Sequence, residues 1–568
     1  MQNKNIIAIP RRWRVAAPLL ALLLAGCTAL PRGPSAAQAL PALPAALQPV
    51  DVEATPLAAP AQPCGDSFIA HDLDHITTVP GDRVEMFEAN GAGVAIGDLD
   101  RDGALDLVLA NHHDANTILW NEGGLRFRAE RMEHGDSRAV NLVDLDADGW
   151  LDIVFTRRAS APNYWRNSGS RAQPRFVREV LPRIYKPANA MNWADLDGDT
   201  DLDLVAGSYD AGMLADQGNS YLLGNGAGVY YYENQSTAFA ATRLAAQSQA
   251  LAIALPDLDA DGQRDIVVGN DFAVYDQSWL RHGAAWSATQ PFSTTSHSTM
   301  SFDLGDVDND GSQELFSTDM KPYAHDVATL ATWRPLMAEM WEPPLKGDPQ
   351  IMENVLQVRG SDGAFRNEAY QRGVDASGWS WSGKFGDLDN DGWLDLYVVN
   401  GMIEAEIFDY LPNHELVEQN QVFHNDGGGR FVPMPQWGLG SIRSGRGMSM
   451  ADLDGDGDLE VVVNNLRSAA QLFENRLCGG SGFQVDLYWP QSKNTRAIGA
   501  TLALHTSAGT FPRDVRAASG YLSGDPARIH FGVPANATLL RLDIRWPDGA
   551  TSALDRPVPR ALLTITRN

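Results

Sequence analysis

Seven copies of one nine-residue pattern, D-x-D-x-D-[GT]-x-x-[DE], constrain this chain more than any other feature. Copy one is Asp98, Asp100, Asp102 and Asp106. Copy two is Asp144, Asp146, Asp148 and Asp152, and copy three is Asp195, Asp197, Asp199 and Asp203. Copy four is Asp257, Asp259, Asp261 and Asp265, and copy five is Asp306, Asp308, Asp310 and Glu314. Copy six is Asp387, Asp389, Asp391 and Asp395, and copy seven is Asp452, Asp454, Asp456 and Glu460. Carboxylates at positions 1, 3 and 5 converge when the chain curls tightly, which suits a hard cation that takes about six to eight oxygens. Gly at position 6 permits the turn, because it has no Cβ to clash at positive φ. Copy three carries Thr200 there instead. The acid at position 9 closes the set, where a helix-flanked calcium loop would wait until position 12.

The flanks are strand-like. Gly93-Val94-Ala95-Ile96-Gly97 precedes copy one and Leu105-Asp106-Leu107-Val108-Leu109 follows it; Leu394-Asp395-Leu396-Tyr397-Val398-Val399 and Val461-Val462-Val463 follow copies six and seven. Short β-branched runs between turn residues predict strand, loop, strand in each unit. Seven acidic turns without metal are the alternative. Clustered, unneutralised carboxylates would repel one another, which argues against it.

The acids explain the charge. The chain of 568 residues has a formal net charge of −28 and 72 acidic side chains; four in each of seven loops belong to the pattern. Seven bound Ca2+ would return two positive charges each. Such an acidic surface argues against a nucleic-acid partner, which needs basic groups. Hydrophobic content of 44% is enough for packed cores.

The first residues read as a targeting signal. Lys4, Arg11, Arg12 and Arg14 precede a short apolar core, Val15 to Leu24, too short to span a bilayer. Leu24-Ala25-Gly26-Cys27 resembles a bacterial lipobox. That resemblance implies cleavage after residue 26, lipidation of Cys27 and anchoring to the outer membrane of the cell envelope. Residues 27–63 are rich in Ala and Pro and read as a tether. Residues 64–478 hold the loops, at roughly one per 59 residues, about the size of a four-stranded propeller blade.

A second element recurs with the loops. Thr117-Ile118-Leu119-Trp120-Asn121, Asn163-Tyr164-Trp165-Arg166-Asn167, Val229-Tyr230-Tyr231-Tyr232-Glu233-Asn234, Gln421-Val422-Phe423-His424-Asn425 and Gln471-Leu472-Phe473-Glu474-Asn475 each read as a strand ending in Asn. Packing and hairpin turns are their expected role. Together with the loops they resemble the FG-GAP/VCBS repeat family, the integrin-α-type propeller with calcium in its loops. The resemblance implies that calcium rigidifies each blade and need not take part in chemistry. A propeller must close its ring, and Cys64 and Cys478 flank it; in an oxidising compartment these two could bridge.

The longest spacing, between copies five and six, holds an insertion at about 319–377. Leu330, Trp333, Met337, Met340 and Trp341 fall at helical spacing, and Pro343-Pro344 ends the run. A further excursion, Gly401 to Asn420, carries Ile403, Ile407, Phe408 and Leu411. Insertions of this kind are where function is expected.

After Cys478 the pattern stops, and 479–568 reads as alternating strands. Ala497-Ile498-Gly499-Ala500, Ser519-Gly520-Tyr521-Leu522-Ser523, His530-Phe531-Gly532 and Trp546-Pro547-Asp548-Gly549 resemble the ASPIC/UnbV domain, which follows an FG-GAP propeller in its family. Gly524-Asp525 departs from that family's usual Gln or Asn. The expectation is an all-β chain: a seven-bladed β-propeller with calcium loops plus a small C-terminal β domain.

No G-x-S-x-G, H-E-x-x-H, P-loop or C-x-x-C-H motif occurs, and His112-His113, His282, His297 and His424 stand alone on predicted loops and strand ends. The reading favoured is therefore a binding or interaction protein for a protein or glycan. An enzyme acting on polysaccharide or phosphoester is the alternative, since propellers host such activities.

Overall fold

The structure is a computed structural model that describes residue 40 and residues 47–568, except 170–174, 219–220, 222–226, 273 and 341–346. The signal region with Cys27, half of the tether, Trp341 and Pro343-Pro344 lie outside the described residues. One compact unit runs from Ala42 to Asn568.

Seven antiparallel sheets in this unit carry the seven loops. In the first, Val94–Gly97 pairs with Asp106–Leu109, then Ala115–Asn121, then Phe127–His134. Each loop joins the first strand of a sheet to the second. The first strands are Val94–Gly97, Ser137–Val143, Ala190–Ala194, Ala250–Ala254, Ser301–Gly305, Gly378–Gly386 and Gly445–Ala451. Each lies beside its neighbour in that order, and the seventh lies beside the first. The sheets thus form a closed, propeller-like ring, which leaves few free edges. These first strands are buried along their whole length.

Closure comes from the far end of the sequence. The outer strand of the seventh sheet is Ile69–Ile76, paired with Ala469–Glu474. Cys64 and Cys478 are disulfide-bonded beside this seam, with Cα atoms 5.1 Å apart.

The C-terminal part holds two four-stranded sheets. One is ordered Val50–Pro56, Ala561–Arg567, Ser481–Tyr488, Ile529–Val533, and the other Thr510–Asp514, Thr501–Thr506, Leu539–Arg545, Thr551–Asp555. The first corrects the tether reading. Val50–Pro56 is a strand whose register runs from Val50 opposite Arg567 to Pro56 opposite Ala561. Its Val-Asp-Val-Glu alternation is a strand signal hidden by its Ala/Pro flanks, and its partner lies at the other end of the chain.

A short hairpin, Ala518–Ser519 with Ser523–Gly524, leaves this domain and fills the axis of the ring. It touches the first strands of sheets one to five and seven, and Tyr521 N donates to Ser382 Oγ of the sixth at 3.1 Å. Gly520 N donates to Phe302 O at 2.7 Å, Val140 N to Leu522 O at 3.2 Å and Asn192 Nδ2 to Ala518 O at 3.2 Å. Tyr521, at the tip, is fully buried; its hydroxyl accepts from Gly91 N at 2.9 Å, and its ring meets Trp381 edge-on at 5.0 Å. The Gly524-Asp525 departure has a partner inside the ring: Asp525 pairs with Lys384, both side chains more than nine-tenths buried.

The insertion contains a helix, Val327–Met340, with Pro335 inside it. Its buried face is Trp333 and Leu336, not the expected stripe, since Leu330 and Met337 are exposed. Trp333 Nε1 donates to the buried Glu418 at 2.9 Å, which pins the helix onto the 401–420 excursion. Both segments follow the end of a second strand, so both lie on the face opposite the loops.

Candidate metal centres

In loop one, Asp98 takes the N–H of Asp102 on Oδ1 at 3.1 Å and that of Gly103 on Oδ2 at 3.0 Å. Asp100 accepts from Asp102 N at 3.1 Å, and Asp102 accepts from Ala104 N at 2.8 Å. These side-chain turns curl the backbone, as short acidic side chains do. Two backbone positions are left-handed. Position 6 is Gly in six loops and Thr200, at φ 74°, in the third; position 4 has φ between 53° and 82° in all seven, with Gly only at Gly198 and Gly455. The requirement at position 4 was hidden, because Arg101, Ala147, Ala260, Asn309 and Asn390 are of three different types.

The ninth acid differs from the other three. Asp106 is buried, accepting from Leu99 N at 3.1 Å and from Asn121 N at 2.9 Å. Asp152, Asp203, Asp265, Asp395 and Glu460 repeat both bonds, and Glu314 repeats the first. It therefore ties the loop to the third strand while turning its remaining lone pairs to the cluster.

The strand-ending Asn does more than turn a hairpin. Asn121 Nδ2 donates to Leu105 O of its own loop and to Leu453 O of loop seven, at 3.1 and 2.7 Å. Asn167 spans Leu151 and Leu99, Asn425 spans Leu394 and Val307, and Asn475 spans Leu459 and Leu388. Each buried amide bolts two neighbouring loops together. Arg281 holds the Asn position in sheet four, and in sheet five Arg359 reaches the carbonyls of Asp257 and Leu258. That substitution explains why the motif is not legible in those two sheets.

The loop carboxylates come within ligating range of one another. Oxygens of Asp98, Asp100 and Asp106 lie within 4.8 Å of each other, as do those of Asp144, Asp146 and Asp152, and those of Asp195, Asp197 and Asp199. Burial pushes Asp106, Asp152, Asp203 and Glu314 up to about 8, and neighbouring acids add to the rise. Oxygens of Asp144 and Asp308 are shut from solvent without a hydrogen-bond partner. Unpaired buried oxygens in an all-oxygen set are what a hard divalent cation fits.

The C-terminal domain covers this face. Thr495 Oγ1 donates to Asp144 and Gln484 Nε2 to Asp452. Arg513 lies 3.7 Å from Asp387, and Arg528 donates to Gly103 O at 3.2 Å. Ser492 and Asn494 hold Thr200 O at 3.0 and 2.8 Å. Gly532 packs so closely that a Cβ would stand 2.1 Å from Asp387 Oδ2.

The histidines divide. His112 is buried against Glu88 O on the face opposite the loops, and burial holds it well below its ordinary pKa. His297 sits on that face too, with Nδ1 3.3 Å from Ser298 Oγ. His282 and His424 instead join the acids of loops four and six.

Family models describe both parts. The FG-GAP-like repeat model matches residues 98–155, 144–206, 257–317 and 413–463. The ASPIC and UnbV model matches residues 490–568. The chain is an FG-GAP-like repeat protein with an ASPIC and UnbV domain. Its resemblance to solved structures is distant. BBS1N in complex with ARL6DN, soaked with mercury, shares 12% identity at a TM-score of 0.40, over 72% of this chain and 98% of that one. Rhamnogalacturonan lyase YesW shares 13% at 0.34, over 75% of this chain and 76% of that one. No curated protein matches the chain. FG-GAP-like repeats in a propeller-like ring, joined to an ASPIC and UnbV domain, suggest a binding or interaction role.

Proposed function

We propose that this FG-GAP-like repeat protein is a lipid-anchored, calcium-stabilised binding protein of the bacterial cell envelope. It would be held at the outer membrane through Cys27 and would present a rigid ring to a protein or glycan. The observation that carries the binding role is the division of the ring's two faces. The loop face is taken by the C-terminal domain, and the axis is filled by Ala518–Gly524. The opposite face carries both insertions, with Val327, Leu330, Tyr410 and Val417 exposed there. Exposed apolar side chains on insertions set in a stiff scaffold suit recognition of a partner. In this reading the calcium ions are structural: Asp98, Asp144, Asp195, Asp257, Asp306, Asp387 and Asp452, with the later acids of each loop, would hold them, and the ions would cancel charge that the fold crowds together. The bridge between Cys64 and Cys478 fits an oxidising compartment.

The test is metal content and thermal unfolding before and after chelation. Close to one cation per loop, with a large fall in midpoint on chelation, is the expected result. Few ions and an unchanged midpoint would end the calcium reading. For the binding face, charged substitutions at Leu330 and Val417, both exposed, should abolish capture of the ligand and leave the midpoint in place.

A further inference from the structure

Loop six departs from the others in the chemistry of its donors. His424 lies in the strand Gln421–Asn425, one residue before the Asn that bolts the loops. The same slot holds Trp120, Arg166, Glu233 and Glu474 in sheets one, two, three and seven. In sheet six it points an imidazole into the carboxylate cluster. His424 Nδ1 lies 3.0 Å from Asp395 Oδ1 and 3.6 Å from Asp389 Oδ2. Ligand atoms of Asp389, Asp395 and His424 all fall within 4.8 Å of one another. The ring is half-buried and braced edge-on by Trp437 at 5.5 Å.

Calcium binds oxygen, whereas imidazole suits zinc and its first-row neighbours. A tetrahedral ion with bonds of about 2.05 Å spaces its ligand atoms roughly 3.3 Å apart. The two distances from His424 Nδ1 bracket that spacing. A buried carboxylate, a partly buried carboxylate and one imidazole make a three-ligand set with a fourth position open. His282 lies near Asp259 and Asp261 in loop four, but all three are exposed, so water competes for each donor there.

We propose that Asp389, Asp395 and His424 form a mixed oxygen–nitrogen centre that selects a borderline transition cation of the Zn2+ class over calcium. The proposal rests on the reading that the loops are cation sites, and it makes the sixth loop the exception among them. It gives the ring one ion of a different kind, next to the disulfide-closed seventh sheet.

The test uses the full chain, stripped of metal, saturated with calcium at millimolar concentration and titrated calorimetrically with Zn2+. Bound calcium and zinc are counted separately. One zinc equivalent should bind in the presence of excess calcium. His424→Ala should weaken zinc by about 100-fold or more, beyond the loss typical of a metal's outer partners. His424→Gln keeps a side-chain amide that can donate to Asp395 but removes the imidazole, and it should lose zinc equally. Both variants should hold the wild-type calcium count elsewhere and the wild-type midpoint in calcium. His282→Ala should keep the zinc equivalent. Substituting Co2+ should give visible absorption bands of nitrogen and oxygen ligation that vanish in both His424 variants. Calcium filling all seven loops with no zinc taken up would overturn the proposal and leave the calcium reading standing. So would zinc that survives both His424 substitutions. Loops that hold neither ion would overturn both.

Discussion

At the scale of single residues, burial first and neighbouring carboxylates second oppose ionisation of the loop acids, a cost that the proposed cations would relieve. Burial chiefly raises Asp106, Asp152 and Asp203 to about 8, against roughly 4 in an unfolded chain. Between those values the folded state binds more protons than the unfolded one, so stability falls as pH rises from about 4 to about 8. Chelated protein should therefore melt at a higher temperature at pH 5 than at pH 8. Calcium should reverse that order, because it binds the deprotonated carboxylates. Thermal scans at the two pH values, with and without calcium, check both halves; a chelated midpoint that rises with pH would show that the acids are already compensated. Thr200 stands apart, since a β-branched residue at φ 74° is strained. Its carbonyl is gripped by Ser492 and Asn494, so the C-terminal domain helps to hold the one loop that lacks Gly at position 6.

At the scale of elements, the strand-ending Asn carries the join between neighbouring sheets. Asn167 is fully buried and spans Leu99 and Leu151. Asn167→Ala leaves both carbonyls without that donor and should cost about 1–3 kcal/mol, read by denaturant unfolding; a loss within error would mean that water replaces the amide. The N-terminal strand makes a second prediction. A chain begun at Cys64 lacks Val50–Pro56 and leaves Ala561–Arg567 without its outer neighbour. It should melt several degrees lower than one begun near residue 47 and aggregate more readily, because an uncovered edge strand invites pairing. Equal midpoints would return this segment to the role of a tether. The recurring Asn was legible in five sheets from its neighbours. The exceptions were not, because Arg281 and Arg359 take the place without any shared pattern.

At the scale of the whole molecule, ring and C-terminal domain pack as one compact unit. The hairpin Ala518–Gly524 spends its backbone and side-chain hydrogen bonds on strands of the ring, and Lys384 and Asp525 pair inside it. Replacing residues 518–524 with a Gly/Ser linker should unseat the domain. The expected outcome is new proteolytic cleavage near residue 479 and faster amide exchange in the loops, with the ring's strands still protected. Unchanged exchange in the loops would show that the domain docks through its sheets alone.

The repeated acids, their flanking β-branched runs and the two cysteines were enough, read in one dimension, to establish an all-β repeat chain with a separate C-terminal module. Those signals are local: a turn that gathers carboxylates needs its residues within nine positions, and a strand shows itself within five. Apart from the Cys64–Cys478 bridge, the contacts whose partners are far apart along the chain lay beyond the reach of the sequence. Val50–Pro56 finds Ala561–Arg567, Tyr521 finds Gly91, and His424 finds the acids of a loop some thirty residues earlier. Strand pairing in the C-terminal sheet makes the first of these contacts and pairing of neighbouring strands in the sixth sheet makes the last, while the closed ring, by carrying its first strands to a common axis, turns the Ser519–Ser523 motif into a plug.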